Sequence, residues 1–213
     1  MSPTSTISES METTRSPATH GRRRRPLMWV GVAVAAVVIT LVWRGFAGHT
    51  LDQVVVGVTG HDCRDTAKVR ERADTSLLVR TSEEMRCTFT VTVANHGGRP
   101  VHVGEVRAAA MGPETGSVLL AESIDGSAPH GELATVDALH ALDRELAGDS
   151  TTTFDIVVVF HPEGCNDSGT LTLFGFPQVE LSALAVHRTV DASEDLAFRN
   201  TIRTPGCRHP NRG

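Results

Sequence analysis

The chain contains no tyrosine and few aromatic residues of any kind. Of its 213 residues, two are Trp and seven are Phe, and both tryptophans precede residue 60. Carbohydrate sites and single-stranded nucleic-acid grooves usually stack ligand rings on Trp or Tyr. The chain after residue 60 has neither side chain, so the sequence predicts no carbohydrate platform and no nucleic-acid groove there.

Motifs of known catalytic chemistry are also missing. The sequence has no GxSxG nucleophile elbow, no HExxH zinc motif, no glycine-rich phosphate loop and no D-x-D-x-DG calcium loop. We therefore expect a non-catalytic protein without a cofactor. Its length suits one sizeable domain with an additional segment.

Charge is divided unevenly along the chain. The net charge of -5 combines about +4 in residues 1–48 with about -9 in the remainder, and lysine occurs once, at Lys68. An acidic domain opposes nucleic acid as a partner. A basic leader before an acidic domain is typical of a chain whose two parts lie on opposite sides of a membrane.

The N-terminal segment reads as a tail followed by a membrane anchor. Residues 1–25 are rich in Ser and Thr and end in four arginines, so we expect a disordered cytoplasmic tail. Eighteen uncharged residues follow from Pro26 to Trp43, a length of about 27 Å as a helix. We assign residues 26–47 to a transmembrane signal anchor, with Trp29 and Trp43 in the two headgroup regions.

Arginines set the predicted orientation of this anchor. Four precede the apolar run and one follows it, which places the N-terminus in the cytoplasm and residues 48–213 outside the cell membrane. Cleavage is the alternative, because Gly45-Phe46-Ala47 fits a small-x-small site. A further alternative is a sensor, in which hydroxyls of the tail are phosphorylated.

The region after the anchor alternates between apolar and polar residues. Phe89, Val91 and Val93 alternate with threonines, which is typical of a half-buried antiparallel strand. The same alternation recurs at Val54, Val56, Val58, Val101, Val103, Phe154, Ile156, Val158, Phe160, Leu171, Leu173, Val179 and Leu181. Gly and Pro turns separate these segments, so we predict an all-β antiparallel sandwich.

One segment departs from this alternation. Between residues 132 and 147, Leu133, Val136, Leu139, Leu142 and Leu146 recur every three to four residues. This spacing predicts a short amphipathic helix that crosses between the two sheets. An extended crossover strand is the alternative.

Four cysteines, Cys63, Cys87, Cys165 and Cys207, all lie on the predicted outer side of the membrane. An even number in an oxidising compartment predicts two disulfides. Three pairings are available. Their positions relative to the predicted strands favour Cys63 with Cys87 and Cys165 with Cys207.

A metal site is the alternative role for two of these cysteines. The segments His61-Asp-Cys63 and His161-Pro-Glu-Gly-Cys165 each bring an imidazole, a carboxylate and a sulfur together. Their spacings match no established zinc pattern, and disulfide formation would remove the thiolates. We therefore expect no metal and keep His61, Cys63, His161 and Cys165 only as candidates of an envelope metal-binding protein or enzyme.

Two phrases carry a resemblance to known proteins. Val91-Thr-Val-Ala-Asn95-His-Gly-Gly-Arg-Pro100-Val-His-Val and Leu146-Ala-Gly-Asp-Ser-Thr-Thr-Thr-Phe-Asp-Ile-Val-Val resemble strand-turn-strand segments of bacterial immunoglobulin-like β-sandwich modules. The arrangement of basic tail, anchor and cysteine-bearing sandwich is similar to that of small membrane-anchored envelope proteins of actinobacteria. The resemblance implies an immunoglobulin-like fold, a place in the cell envelope, and other envelope proteins as partners.

Overall fold

The structure is a computed structural model that describes residues 24–64, 69–71, 77–113, 116–130, 136–165 and 167–203. Within these residues the chain forms one helix followed by twelve strands. They are α1 (Arg24–Leu51), β1 (Val54–Arg64), β2 (Val69–Glu71), β3 (Leu77–Arg80), β4 (Arg86–Asn95), β5 (Val101–Ala108), β6 (Leu119–Ile124), β7 (Ala138–Leu146), β8 (Ser150–Phe160), β9 (Asp167–Leu173), β10 (Gln178–Ala183), β11 (Val186–Asp191) and β12 (Leu196–Arg203). The predicted disordered tail lies almost wholly outside the described residues.

The chain divides into two compact units, Met1–Val42 and Trp43–Gly213. Helix α1 begins in the first unit, and its C-terminal residues belong to the second. There Ala47 and Leu51 are buried in the β unit, and Leu51 is part of its hydrophobic core. The backbone N–H of Asp52, the residue after the helix, donates to the Gly48 carbonyl oxygen. Strand β1 begins two residues after Asp52.

The strands form an all-β sandwich, as the alternation predicts, but they make three four-stranded sheets and not the two expected from the sequence. The sheet orders are β1-β4-β8-β6, β11-β10-β5-β7 and β2-β3-β12-β9. Neighbouring strands run antiparallel except β3 and β12, which pair in parallel from Leu77 opposite Leu196. This parallel pair is a departure from the purely antiparallel sandwich that the sequence predicts.

The core lies between the β4 sheet and the other two sheets. Phe89 of β4 is fully buried and contacts Phe176 and Phe198 edge to face, with ring centroids 6.2 Å apart in each case. Phe198 belongs to β12, and Phe176 lies just before β10. The Phe89 ring thus connects the β4 sheet to β12 and to the turn before β10, in a geometry that aromatic pairs prefer.

Most of the predicted core positions are confirmed. Phe89, Val91 and Val93 are completely buried, while the threonines between them are only partly buried. Phe154, Ile156, Val158, Val179 and Leu181 are buried in the same way. Leu171 is an exception, because β9 is an edge strand and this side chain stays 39% exposed.

The predicted crossover helix is wrong. The described part of that segment, from residue 136, forms strand β7, which pairs antiparallel with β5. Val136 is exposed, and Ala138, Leu139, Leu142 and Leu146 are buried. The interval of four between Ala138, Leu142 and Leu146 suits one face of a strand as well as one face of a helix, so a spacing of this kind does not distinguish the two.

Candidate functional site

Two of the predicted disulfide residues are bonded to each other. Cys63 of β1 and Cys87 of β4 lie directly opposite in the antiparallel register, with Cα atoms 4.1 Å apart. Cys165 is also disulfide-bonded, and the described residues contain no free cysteine. Cys207 lies outside the described residues, so its pairing with Cys165 stays a prediction.

The metal candidates are not brought into one site. The Cys63 sulfur is bonded to Cys87, which removes its thiolate as a ligand. His61 is exposed on β1, and Nδ1 of His161 lies 3.3 Å from the Ser117 carbonyl oxygen. Throughout the part of the chain that the structure describes, no three His, Cys, Asp or Glu side chains are placed to hold a metal ion.

A polar groove crosses the β11-β10-β5-β7 sheet. In the strand register His102 lies opposite Ser182, and Ser182 lies opposite His187, so these three residues form a row across β5, β10 and β11. Nε2 of His102 is 3.3 Å from Oδ1 of Asp143. Nδ1 of His187 is 2.9 Å from Oε1 of Glu180. These side chains line a groove of about 320 Å³.

The alternation of apolar and polar residues in β5 indicates that His102 faces away from the core, although no sequence motif contains it. Val101 and Val103 are core residues, so His102 between them must point to the opposite face of its strand. Which residues stand beside it depends on strand register, and a β-bulge places Asp143 there with a φ of 49°. The groove offers imidazoles and carboxylates to a polar partner, but its arrangement matches no catalytic constellation.

An apolar surface lies at the turn between β9 and β10. Phe174 in this turn is 77% exposed, the most exposed large apolar side chain of the described β unit. It borders a groove of about 250 Å³ that is also lined by Arg107, Leu173 and Gln178. The Phe174 ring therefore presents apolar surface to solvent beside this groove.

A second exposed surface, which we call the helix-end surface, surrounds the last residues of α1. It consists of Trp43, Arg44, Phe46, Arg99 and Arg188. The Trp43 indole N–H donates to the Leu184 carbonyl oxygen at 3.0 Å. The Arg99 guanidinium carbon lies 4.4 Å from the centroid of the Phe46 ring, a cation–π contact. Arg188 forms an ion pair with Asp52, the first residue after the helix.

Asn95 holds the loop that carries Arg99. This side chain is 1% exposed, and its Nδ2 group donates to the carbonyl oxygens of Arg99 at 2.8 Å and Ala147 at 2.9 Å. Its Oδ1 accepts from the Gly97 backbone N–H at 3.0 Å. The turn after β4 is thus tied to the turn between β7 and β8, and the two phrases noted in the sequence are neighbours in space.

The N-terminal part of α1 is apolar on all sides. Every residue from 29 to 46 is exposed, including Trp29, Ile39 and Leu41. The hydroxyl of Thr40 donates to the Ala36 carbonyl oxygen at 2.8 Å, which satisfies the polar group of this side chain. The segment Trp29–Leu51 is long and apolar enough to cross a membrane, a property that signal sequences share.

Comparison with known proteins gives no family. No family model matches the chain, and no curated protein matches it. Similar solved structures include a structural genomics target with a TM-score of 0.37 and 10% identity, over 76% of this chain and 95% of that one. Another is PapD-like domain 7 of human CEP192, with a TM-score of 0.31 and 16% identity over 63% of this chain and 84% of that one.

A third similar structure is a family 123 glycoside hydrolase from Clostridium perfringens. Its TM-score is 0.31 and its identity 10%, over 71% of this chain and only 28% of the hydrolase. At such scores these likenesses support no inference about activity or partners.

Proposed function

We propose that the chain is a single-pass, membrane-anchored module of the cell envelope whose extracytoplasmic β-sandwich binds or assembles other envelope proteins without catalysis. The observation that carries this proposal is the exposed apolar surface of α1 over residues 29–43. A helix that is apolar on all sides is stable when lipid or protein covers it.

Charge and cysteine chemistry support the same proposal. The basic residues before the apolar run favour a cytoplasmic N-terminus. The Cys63–Cys87 disulfide fits an oxidising compartment, which the extracytoplasmic side provides. An immunoglobulin-like relationship of the sandwich belongs to this proposal too, because the two turn phrases that suggested it pack together through Asn95.

Binding surfaces are available on the proposed extracytoplasmic unit. The exposed Phe174 beside its groove provides an apolar contact of the kind that protein partners use. The row of His102, Ser182 and His187 provides a polar surface on another sheet. Both surfaces suit recognition of a folded or extended protein segment better than a chemical reaction.

Membrane insertion is tested by placing charges in the apolar run. The double variant Val34→Asp/Val38→Asp adds two carboxylates at exposed positions of α1, each costing about 3 kcal/mol in the middle of a span. We expect the chain to be lost from carbonate-washed membranes. The control Val55→Asp changes an exposed valine of the β unit and should remain in the membrane.

Orientation is tested by protease treatment of intact spheroplasts. We expect degradation of the β unit and protection of a tag fused to the N-terminus. Release of a mature chain that begins near Gly48 would contradict the anchor, and protection of the β unit with loss of the tag would contradict the orientation.

A further inference from the structure

We infer that the helix-end surface binds the headgroups of acidic phospholipids in the membrane that holds α1. The inference rests on the proposed anchoring and names a specific partner for this surface. It is carried by a convergence in the fold, because the β4–β5 loop and the β10–β11 hairpin both contact the last turns of α1. These two loops are distant in sequence.

The aromatic part of the surface lies where the apolar run ends. Trp43 and Phe46 are 51% and 42% exposed, so about half of each side chain is open to its surroundings. The indole N–H of Trp43 donates a hydrogen bond to the Leu184 carbonyl oxygen, so the hydrogen-bonding requirement of this side chain is met within the protein. Tryptophan is enriched at the boundary between hydrocarbon and headgroups, where its large ring lies at headgroup level.

The β10–β11 hairpin, which contacts Trp43, has a two-residue turn. Its two turn residues, Leu184 and Ala185, both have positive φ values, 53° and 63°. This is the conformation that two-residue hairpin turns require, and residues other than Gly, Asn and Asp seldom adopt it. The turn thereby places an apolar tip beside Trp43, in keeping with an environment of lipid and headgroups.

Three arginines form the basic part of the surface. Arg44 and Arg99 have no carboxylate partner among the described residues, whereas Arg188 pairs with Asp52. The five residues of the surface and Asp52 together carry a net charge of +2. Guanidinium groups donate two parallel hydrogen bonds to phosphate, which is the anion of lipid headgroups.

The spacing along α1 matches the thickness of a headgroup layer. Arg99 contacts the helix at Phe46, and Arg188 lies close to Gly48. These positions are about 4.5 and 7.5 Å beyond Trp43 along a helix axis. One headgroup layer is about 5 to 8 Å thick. Both arginines therefore fall at phosphate depth when Trp43 lies at the hydrocarbon boundary, which favours a membrane lipid over a soluble anion.

The test uses the full chain with Trp43 as its sole tryptophan. The variant Trp29→Phe is reconstituted in nanodiscs that contain 30% phosphatidylglycerol in phosphatidylcholine. Two samples are compared, in which the same mole fraction of lipid carries bromine on its acyl chains, as phosphatidylglycerol in one sample and as phosphatidylcholine in the other. We expect brominated phosphatidylglycerol to quench Trp43 more strongly, since each arginine raises the local affinity for acidic lipid about fivefold.

Matched variants assign the effect to the surface. Arg99→Gln/Arg188→Gln should abolish the difference between the two lipids, while Arg99→Lys/Arg188→Lys should retain most of it. The control Arg64→Gln/Arg86→Gln removes two exposed arginines at the other end of β1 and β4. It should leave the preference unchanged.

The outcomes separate this inference from the proposed anchoring. Equal quenching by both lipids would overturn the lipid preference while leaving the anchor intact. If the control variant Arg64→Gln/Arg86→Gln lost the preference as fully as Arg99→Gln/Arg188→Gln, the assignment of the preference to the helix-end surface would also be overturned. Absence of quenching by either lipid would overturn the anchor itself.

Discussion

Replacing Asn95 by alanine tests whether one buried side chain holds the two turns together. The substitution removes two hydrogen bonds to the carbonyls of Arg99 and Ala147 and one from the Gly97 N–H, at 2.8 to 3.0 Å. A neutral hydrogen bond contributes about 1 kcal/mol, and a buried group left without its partner costs more. We expect the free energy of unfolding to fall by about 3 to 4 kcal/mol.

The assay is urea unfolding of the Trp29→Phe chain in mild detergent. Trp43 fluorescence reports on the β unit, because the Trp43 indole is hydrogen-bonded to Leu184 in that unit. A loss of this size is a large share of the 5 to 15 kcal/mol that stabilises a typical domain. The midpoint of unfolding should therefore shift strongly to lower urea.

Ser150→Ala is the matched control. The Ser150 hydroxyl donates at 2.7 Å to the same Ala147 carbonyl that Asn95 bonds, but it does so at the exposed side. Water can replace that bond, so the cost should stay below about 1 kcal/mol. If the two variants unfold within error of each other, the reasoning about Asn95 is refuted.

Three further predictions concern the core, a close contact and the disulfide. Val91→Asp places an unpaired charge at a fully buried position and should prevent folding, whereas Thr92→Asp on the opposite face should give soluble, folded protein by circular dichroism. Gly148→Ala would put a Cβ atom 2.5 Å from the Gly98 carbonyl carbon, so urea unfolding should show a loss of at least about 2 kcal/mol. Cys87→Ser should lower stability by about 3 kcal/mol and leave Cys63 reactive to alkylating reagents without prior reduction; an unreactive thiol would contradict the pairing.

Part of this fold follows from local pattern alone. Strand β4 is predicted by alternation, because one of its faces is buried and the other is not. The pairing of Cys63 with Cys87, one of three possible pairings, is favoured by the positions of these cysteines relative to the predicted strands and is present in the structure. Local pattern does not identify strand β7, because its apolar residues recur every three to four positions and the bulge at Asp143 disturbs the strand alternation.

The candidate surfaces could not be predicted in the same way. The row of His102, Ser182 and His187 depends on the register of three strands. The helix-end surface depends on loops that bring Arg99 and Arg188 to α1 from distant parts of the chain. Local spacing contains no information about either arrangement, because both are determined by sheet topology.

The position of the Cys63–Cys87 disulfide has a mechanical consequence. Strand β1 starts at Val54, opposite Asn95, and the bond lies near its other end. A pull on α1 loads β1 at its first residue and peels it from β4 towards the disulfide. At most the nine residues before Cys63 can be released, about 30 Å of chain. The bond then transmits the force directly to β4, which lies between β1 and β8 in its sheet. Residues 64–86 carry none of this force. The sandwich is therefore expected to yield by a short, limited extension under tension, and not by progressive unravelling.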